Sequence, residues 1–63
     1  MNSKEVIRKL ETDGWFLAGV KGSHHQFRHG SKLGRVTVPH PRKDLLTGTL
    51  RSIYRQAGWS WPP

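Results

Sequence analysis

The chain contains no cysteine, and its acidic residues number only four: Glu5, Glu11, Asp13 and Asp44. The first absence excludes disulfide staples and thiolate chemistry. The second leaves too few carboxylates to cluster around a magnesium ion, because three of them fall on or at the end of the first predicted helix. No apolar run approaches the length of a membrane span, and no signal peptide or lipidation motif is visible. The expectation is a cytoplasmic protein with no membrane partner. At 63 residues the chain is expected to form one domain, residues 1–63. Such a domain buries only about 60% of the surface of its unfolded chain. Its core is thin and cannot wall off a deep pocket, so a surface site for a large substrate or partner fits better.

What the chain has in abundance is positive charge. Eleven Lys and Arg give a formal net charge of +7, spread along the whole length. That distribution points to a basic folded surface, not a basic arm. Nucleic acid, an anionic membrane and an acidic protein are the partner classes such a surface suits.

The hydrophobic pattern predicts a helix from about Ser3, as cap, to about Asp13, with Val6, Ile7 and Leu10 on one face and Gly14 as stop. Glu5 and Lys9 are spaced as an exposed i,i+4 pair. Trp15 to Val20 reads as a strand, and Lys21-Gly22-Ser23 as a tight turn. His24 to His29 reads as a second strand, and Arg35-Val36-Thr37-Val38 as a third, stopped by Pro39 and Pro41. A second helix starts near Thr47 or Thr49, turns Leu50, Ile53, Tyr54 and Ala57 inward, and ends at Gly58. The fold class is therefore α+β, in the order α-β-β-β-α. A three-stranded antiparallel sheet carries both helices on one face and leaves the other open.

Strand alternation sorts the side chains. With Phe27 facing the helices, His25 and His29 share its side, while His24, Gln26 and Arg28 face outward. Arg35 and Thr37 of the third strand join them, and Lys21 lies at the nearby turn. Ser23 precedes the histidine. Such a face attracts phosphate, although a solvated polar strand face accounts for the same residues. A neutral imidazole at His24 can accept the proton of a ribose 2′-OH, and an imidazolium can protonate a leaving 5′-oxygen. The competing reading is a histidine that closes the turn. No metal or other cofactor is expected. His24 and His25 point to opposite faces, and His25 and His29 lie roughly 13 Å apart on a strand, too far for one zinc. The loop His40 to Asp44 offers Arg42 and Lys43 as phosphate contacts. His40, between two prolines, is expected to be a rigid exposed residue. Arg51 and Arg55 read as the solvated stripe of the second helix, and Trp59 and Trp61 as cover for a core edge.

These residues together resemble the HicA family of bacterial toxins. The resemblance runs through Asp13-Gly14-Trp15, Lys21-Gly22-Ser23-His24 with Phe27, Val36-Thr37-Val38-Pro39-His40, Gly48-Thr49-Leu50, and Ile53 with Arg55-Gln56-Ala57-Gly58. It covers nearly the whole chain in order; the abrupt Trp- and Pro-rich ending is the departure. The resemblance implies a fold like that of a double-stranded-RNA-binding domain. It also implies an endoribonuclease that cuts mRNA and arrests translation, and a HicB-like antitoxin as partner. The family histidine falls on His24. A non-catalytic RNA-binding module of the same fold, and an adaptor for an acidic protein, are the other readings that the basic face allows.

Overall fold

The computed structural model describes residues 1–63. Helix α1 spans Ser3–Thr12, strands β1, β2 and β3 span Trp15–Lys21, His24–His29 and Val36–Pro39, and helix α2 spans Thr47–Ala57. The sheet is antiparallel in the order β1-β2-β3, and the expected α-β-β-β-α arrangement is the one observed.

The start of α1 differs from the sequence reading by one residue. Asn2, not Ser3, is the cap: its side chain accepts from the Glu5 N–H at 2.8 Å, and Glu5 Oε1 accepts from the Asn2 N–H at 2.9 Å. This reciprocal capping box satisfies two donors at the helix end. Ser3 is instead 1% exposed, and its hydroxyl sits 2.7 Å from His40 Nδ1 and accepts from the Arg42 N–H at 2.9 Å. Glu5 is thereby engaged at the cap, and the expected Glu5–Lys9 pair does not form. Lys9 reaches across to donate to the Tyr54 hydroxyl at 3.1 Å and lies over the Tyr54 and Trp59 rings.

The core lies between the helices and one face of the sheet. Val6 and Leu10 of α1 and Ile53, Tyr54 and Ala57 of α2 meet Trp15, Phe27, Val36 and Val38, with Leu45 beneath the loop. Each large apolar side chain buried there contributes about 1.5–3 kcal/mol. Trp59 and Trp61 pack edge-on against Tyr54 and close one side of this core. Gly58, at φ +76°, gives α2 its left-handed C-cap. The joint after α1 is held by Asp13. Its Oδ2 accepts from Lys32 Nζ at 2.7 Å and from the indole N–H groups of Trp15 and Trp59, each at 3.0 Å. The Lys32 bond foremost, then that from Trp59, holds its carboxyl at about 2, desolvation working against them.

The two sheet edges differ. On β3 the Thr37 N–H points away from β2 and donates to Gln56 of α2 at 2.9 Å, and the next outward position, Pro39, has no N–H. The outer edge of β1 carries no such cover, and its Phe16, Leu17 and Val20 are about half exposed.

Candidate nucleic-acid interface

The open face is built by the hairpin of β1 and β2. Gly22 takes φ +60° at the first central position of its two-residue turn, and Ser23 has no positive φ. That pattern fits a type II′ turn, which suits the twist of the flanking strands. The turn sets Lys21 opposite His24, Val20 opposite His25 and Gly19 opposite Gln26. Beyond a bulge between Leu17 and Gly19, Leu17 pairs with Phe27 and Phe16 with Arg28.

The bulge decides which side chains share the face. Phe16 and Lys21 are five positions apart, so a regular strand would send them to opposite sides. One extra residue reverses the parity. Because Phe27 is buried against the helices, its neighbours Arg28 and Gln26 face out, as does His24 two residues further on. Their partners Phe16, Gly19 and Lys21 therefore face out too. On β3, Thr37 pairs with Gln26 and Pro39 with His24. Arg35 precedes the strand instead of lying on it, yet its guanidinium donates to Gln26 Oε1 at 2.6 Å. The structure thus brings Lys21, His24, Gln26, Arg28, Arg35 and Thr37 onto one surface, with Ser23 in the turn. The sequence hints at the bulge only through Gly19, a lone glycine inside a strand. Phe16 is the residue of this face that strand alternation from β2 and β3 did not reach.

Arg42 and Lys43 stand elsewhere. The loop leaves the sheet beside the hairpin turn, where the His40 N–H donates to Ser23 O at 2.8 Å. It then runs to the start of α1, where the Ser3 N–H donates to Arg42 O at 2.9 Å. Both cations are exposed and border a depression shared with Asn2, Ser3 and Lys4 at the start of α1.

The four histidines now separate. His29 Nε2 lies 2.6 Å from Asp13 O, and its Nδ1 accepts from the Ser31 N–H at 3.0 Å. That close approach requires Gly14, where a Cβ would sit 2.8 Å from His29 Nε2. His25 faces the helices and packs edge-on against His40, with ring centroids 4.9 Å apart. His40 is half-buried and held by Ser3; the residue is rigid as expected but not exposed, because the buried Ser3 hydroxyl draws its ring inward. Only His24 is exposed and free of these contacts. The largest concavity, about 510 Å³, lies on the helix side between Glu5, Arg8, Lys9, Thr12, Asp13 and Trp59. The open face itself is a shallow surface, suited to an extended ligand.

The comparisons with known proteins agree with this arrangement. The family model of the HicA toxin of bacterial toxin–antitoxin systems matches residues 3–59. A solved chain of a HicA3 and HicB3 toxin–antitoxin complex is similar at 34% identity, with a TM-score of 0.80, over 95% of this chain and 97% of that one. No curated protein matches the chain.

Proposed function

The chain belongs to the HicA family of bacterial toxins, and from that premise we propose that it is an endoribonuclease acting on mRNA, with His24 as its acid–base group. The observation that carries this reading is the division of the histidines. His25, His29 and His40 are occupied by packing or hydrogen bonds, whereas His24 stands exposed on a cationic face.

The chemistry needs no group beyond the chain and the RNA. Neutral His24 accepts the proton of a ribose 2′-OH as that oxygen attacks the adjacent phosphorus. The bond to the 5′-oxygen breaks, and that oxygen takes up a proton as it leaves. A 2′,3′-cyclic phosphate and a free 5′-hydroxyl result. Lys21, directly across the ladder, is placed to offset the charge that builds on the phosphoryl oxygens. Side chains opposite each other on a ladder have Cβ atoms about 5 Å apart, within reach of one phosphate. Lys21 also suits the second proton transfer better than His40, whose ring is committed to Ser3 and His25. Gln26, Arg28, Arg35 and Thr37 extend the polar track along the strand, and Ser23 presents its hydroxyl at the turn. Arg42 and Lys43 take more distant phosphates around the hairpin end.

The similar HicA3 chain occurs in a complex with HicB3. A HicB-like antitoxin is accordingly the protein partner of this reading, and its task is to cover the face that holds His24. The test is cleavage of RNA by the purified protein in EDTA. Degradation that disappears in His24→Ala is the expected result. Undiminished cleavage by His24→Ala overturns the role given to that residue, and an absolute metal requirement overturns the mechanism.

A further inference from the structure

Phe16 stands 53% exposed on a face that is otherwise polar and cationic. It is paired with Arg28 at the end of the track away from His24. Gly19, between Phe16 and Lys21 on the same face, raises no side chain, and a Cβ built there meets nothing within 4 Å. The bulge that turns Lys21 toward the RNA side is also what puts Phe16 on that side with it. The face therefore has a proton-transfer end, a bare and polar middle, and an aromatic end.

We infer that Phe16 is a base-stacking residue that grips single-stranded RNA at a fixed distance from the bond cleaved at His24. The inference rests on the reading of this face as an RNA surface, and adds to it a specificity for substrate length. An aromatic ring beside a cation is the combination by which proteins hold unpaired bases without reading their sequence. Arg28, opposite Phe16, supplies the phosphate contact for the nucleotide whose base lies on the ring. From His24 to Arg28 the strand advances about 13 Å. That distance corresponds to about four nucleotides of stacked strand, at ~3.4 Å each, and to fewer where the strand is extended. A dinucleotide held at His24 cannot reach the ring.

The test uses the His24→Ala protein, so that RNA survives the measurement, and a single-stranded oligoribonucleotide longer than the track. Adding Phe16→Ala is expected to weaken its binding by roughly 5- to 150-fold, the effect of losing one stacked base. Phe16→Trp is expected to retain full affinity. Phe16→Leu, which keeps apolar bulk without a π face, is expected to bind as poorly as Phe16→Ala and guards against a loss due to misfolding. Binding of a dinucleotide should be the same in all four proteins. Equal oligonucleotide affinity with and without Phe16, or full affinity in Phe16→Leu, overturns the inference and leaves the RNA reading standing. Normal RNA affinity in Phe16→Ala with loss of HicB binding assigns the ring to the protein partner and also overturns it. If His24→Ala with Phe16 intact binds no RNA at low salt, the RNA reading falls, and this inference with it.

Discussion

Asp13 and Trp59 are bound to each other at 3.0 Å, carboxylate to indole N–H, across 46 positions of sequence. The bond ties the segment after α2 to the end of α1, and Lys32 and Trp15 converge on the same oxygen. One carboxylate thus ties two distant parts of the chain, at Lys32 and Trp59, to the joint between α1 and β1.

Asp13→Asn is expected to lower the melting temperature at neutral pH. The direction with pH follows from the carboxyl, held at about 2 in the fold against an ordinary 3.8. A depressed carboxyl stabilises the fold fully above the ordinary value, and that stabilisation is lost as pH falls through about 2. Melting curves taken from neutral to acid pH should therefore converge for the native protein and Asp13→Asn at the acid end. A difference that persists unchanged there contradicts the account.

His24→Ala should reduce RNA cleavage by about 10²–10⁴-fold, the usual contribution of a positioned acid–base group. Its melting temperature should stay within a few degrees of the native value, because the side chain is exposed. His25→Ala should do the reverse. It removes the ring packed against His40, so stability falls while cleavage per folded molecule persists. Paired melting and cleavage assays separate the two neighbours.

Lys21, Arg28 and Arg35 should each account for part of the salt dependence of RNA binding. For single strands the slope of log K against log salt changes by roughly 0.7 per phosphate neutralised. Lys21→Gln, Arg28→Gln and Arg35→Gln should therefore flatten the slope by about that amount each, measured in the His24→Ala background. Arg51→Gln and Arg55→Gln, on the exposed side of α2, should leave it unchanged.

Ser3→Ala should destabilise the protein by about 1–3 kcal/mol, the cost of leaving buried polar groups without partners. His40 Nδ1 and the Arg42 N–H both lose their contact with the hydroxyl. Urea unfolding gives the magnitude, and faster proteolysis between His40 and Asp44 should accompany it.

The parts of this fold that could be read from the sequence are those fixed by neighbours in the chain. The 3.6-residue spacing of Val6 and Leu10, the alternation of Val36 and Val38, and the glycines at positions 22 and 58 each dictate a local conformation, and each matched. Most of the misreadings concern residues with a partner far away in sequence. Ser3 and Asn2 are both able caps, and the choice turned on Glu5 lying three places after Asn2 and on a buried slot for Ser3 beside His40. Lys9 left its helical neighbour for Tyr54, 45 positions on. At the candidate site, alternation along β2 was sufficient to set His24 apart from His25. It was not sufficient for β1, because a bulge shifts the pattern by one residue and only Gly19 betrays it.

The sheet can grow in one direction only. With the Thr37 donor taken by Gln56 and Pro39 offering none, another strand finds no ladder to join beyond β3. The β1 edge is the one left open, with Phe16, Leu17 and Val20 about half exposed along it. A strand added along β1 would therefore meet no matching donors at Thr37 or Pro39 from which to continue at the far edge.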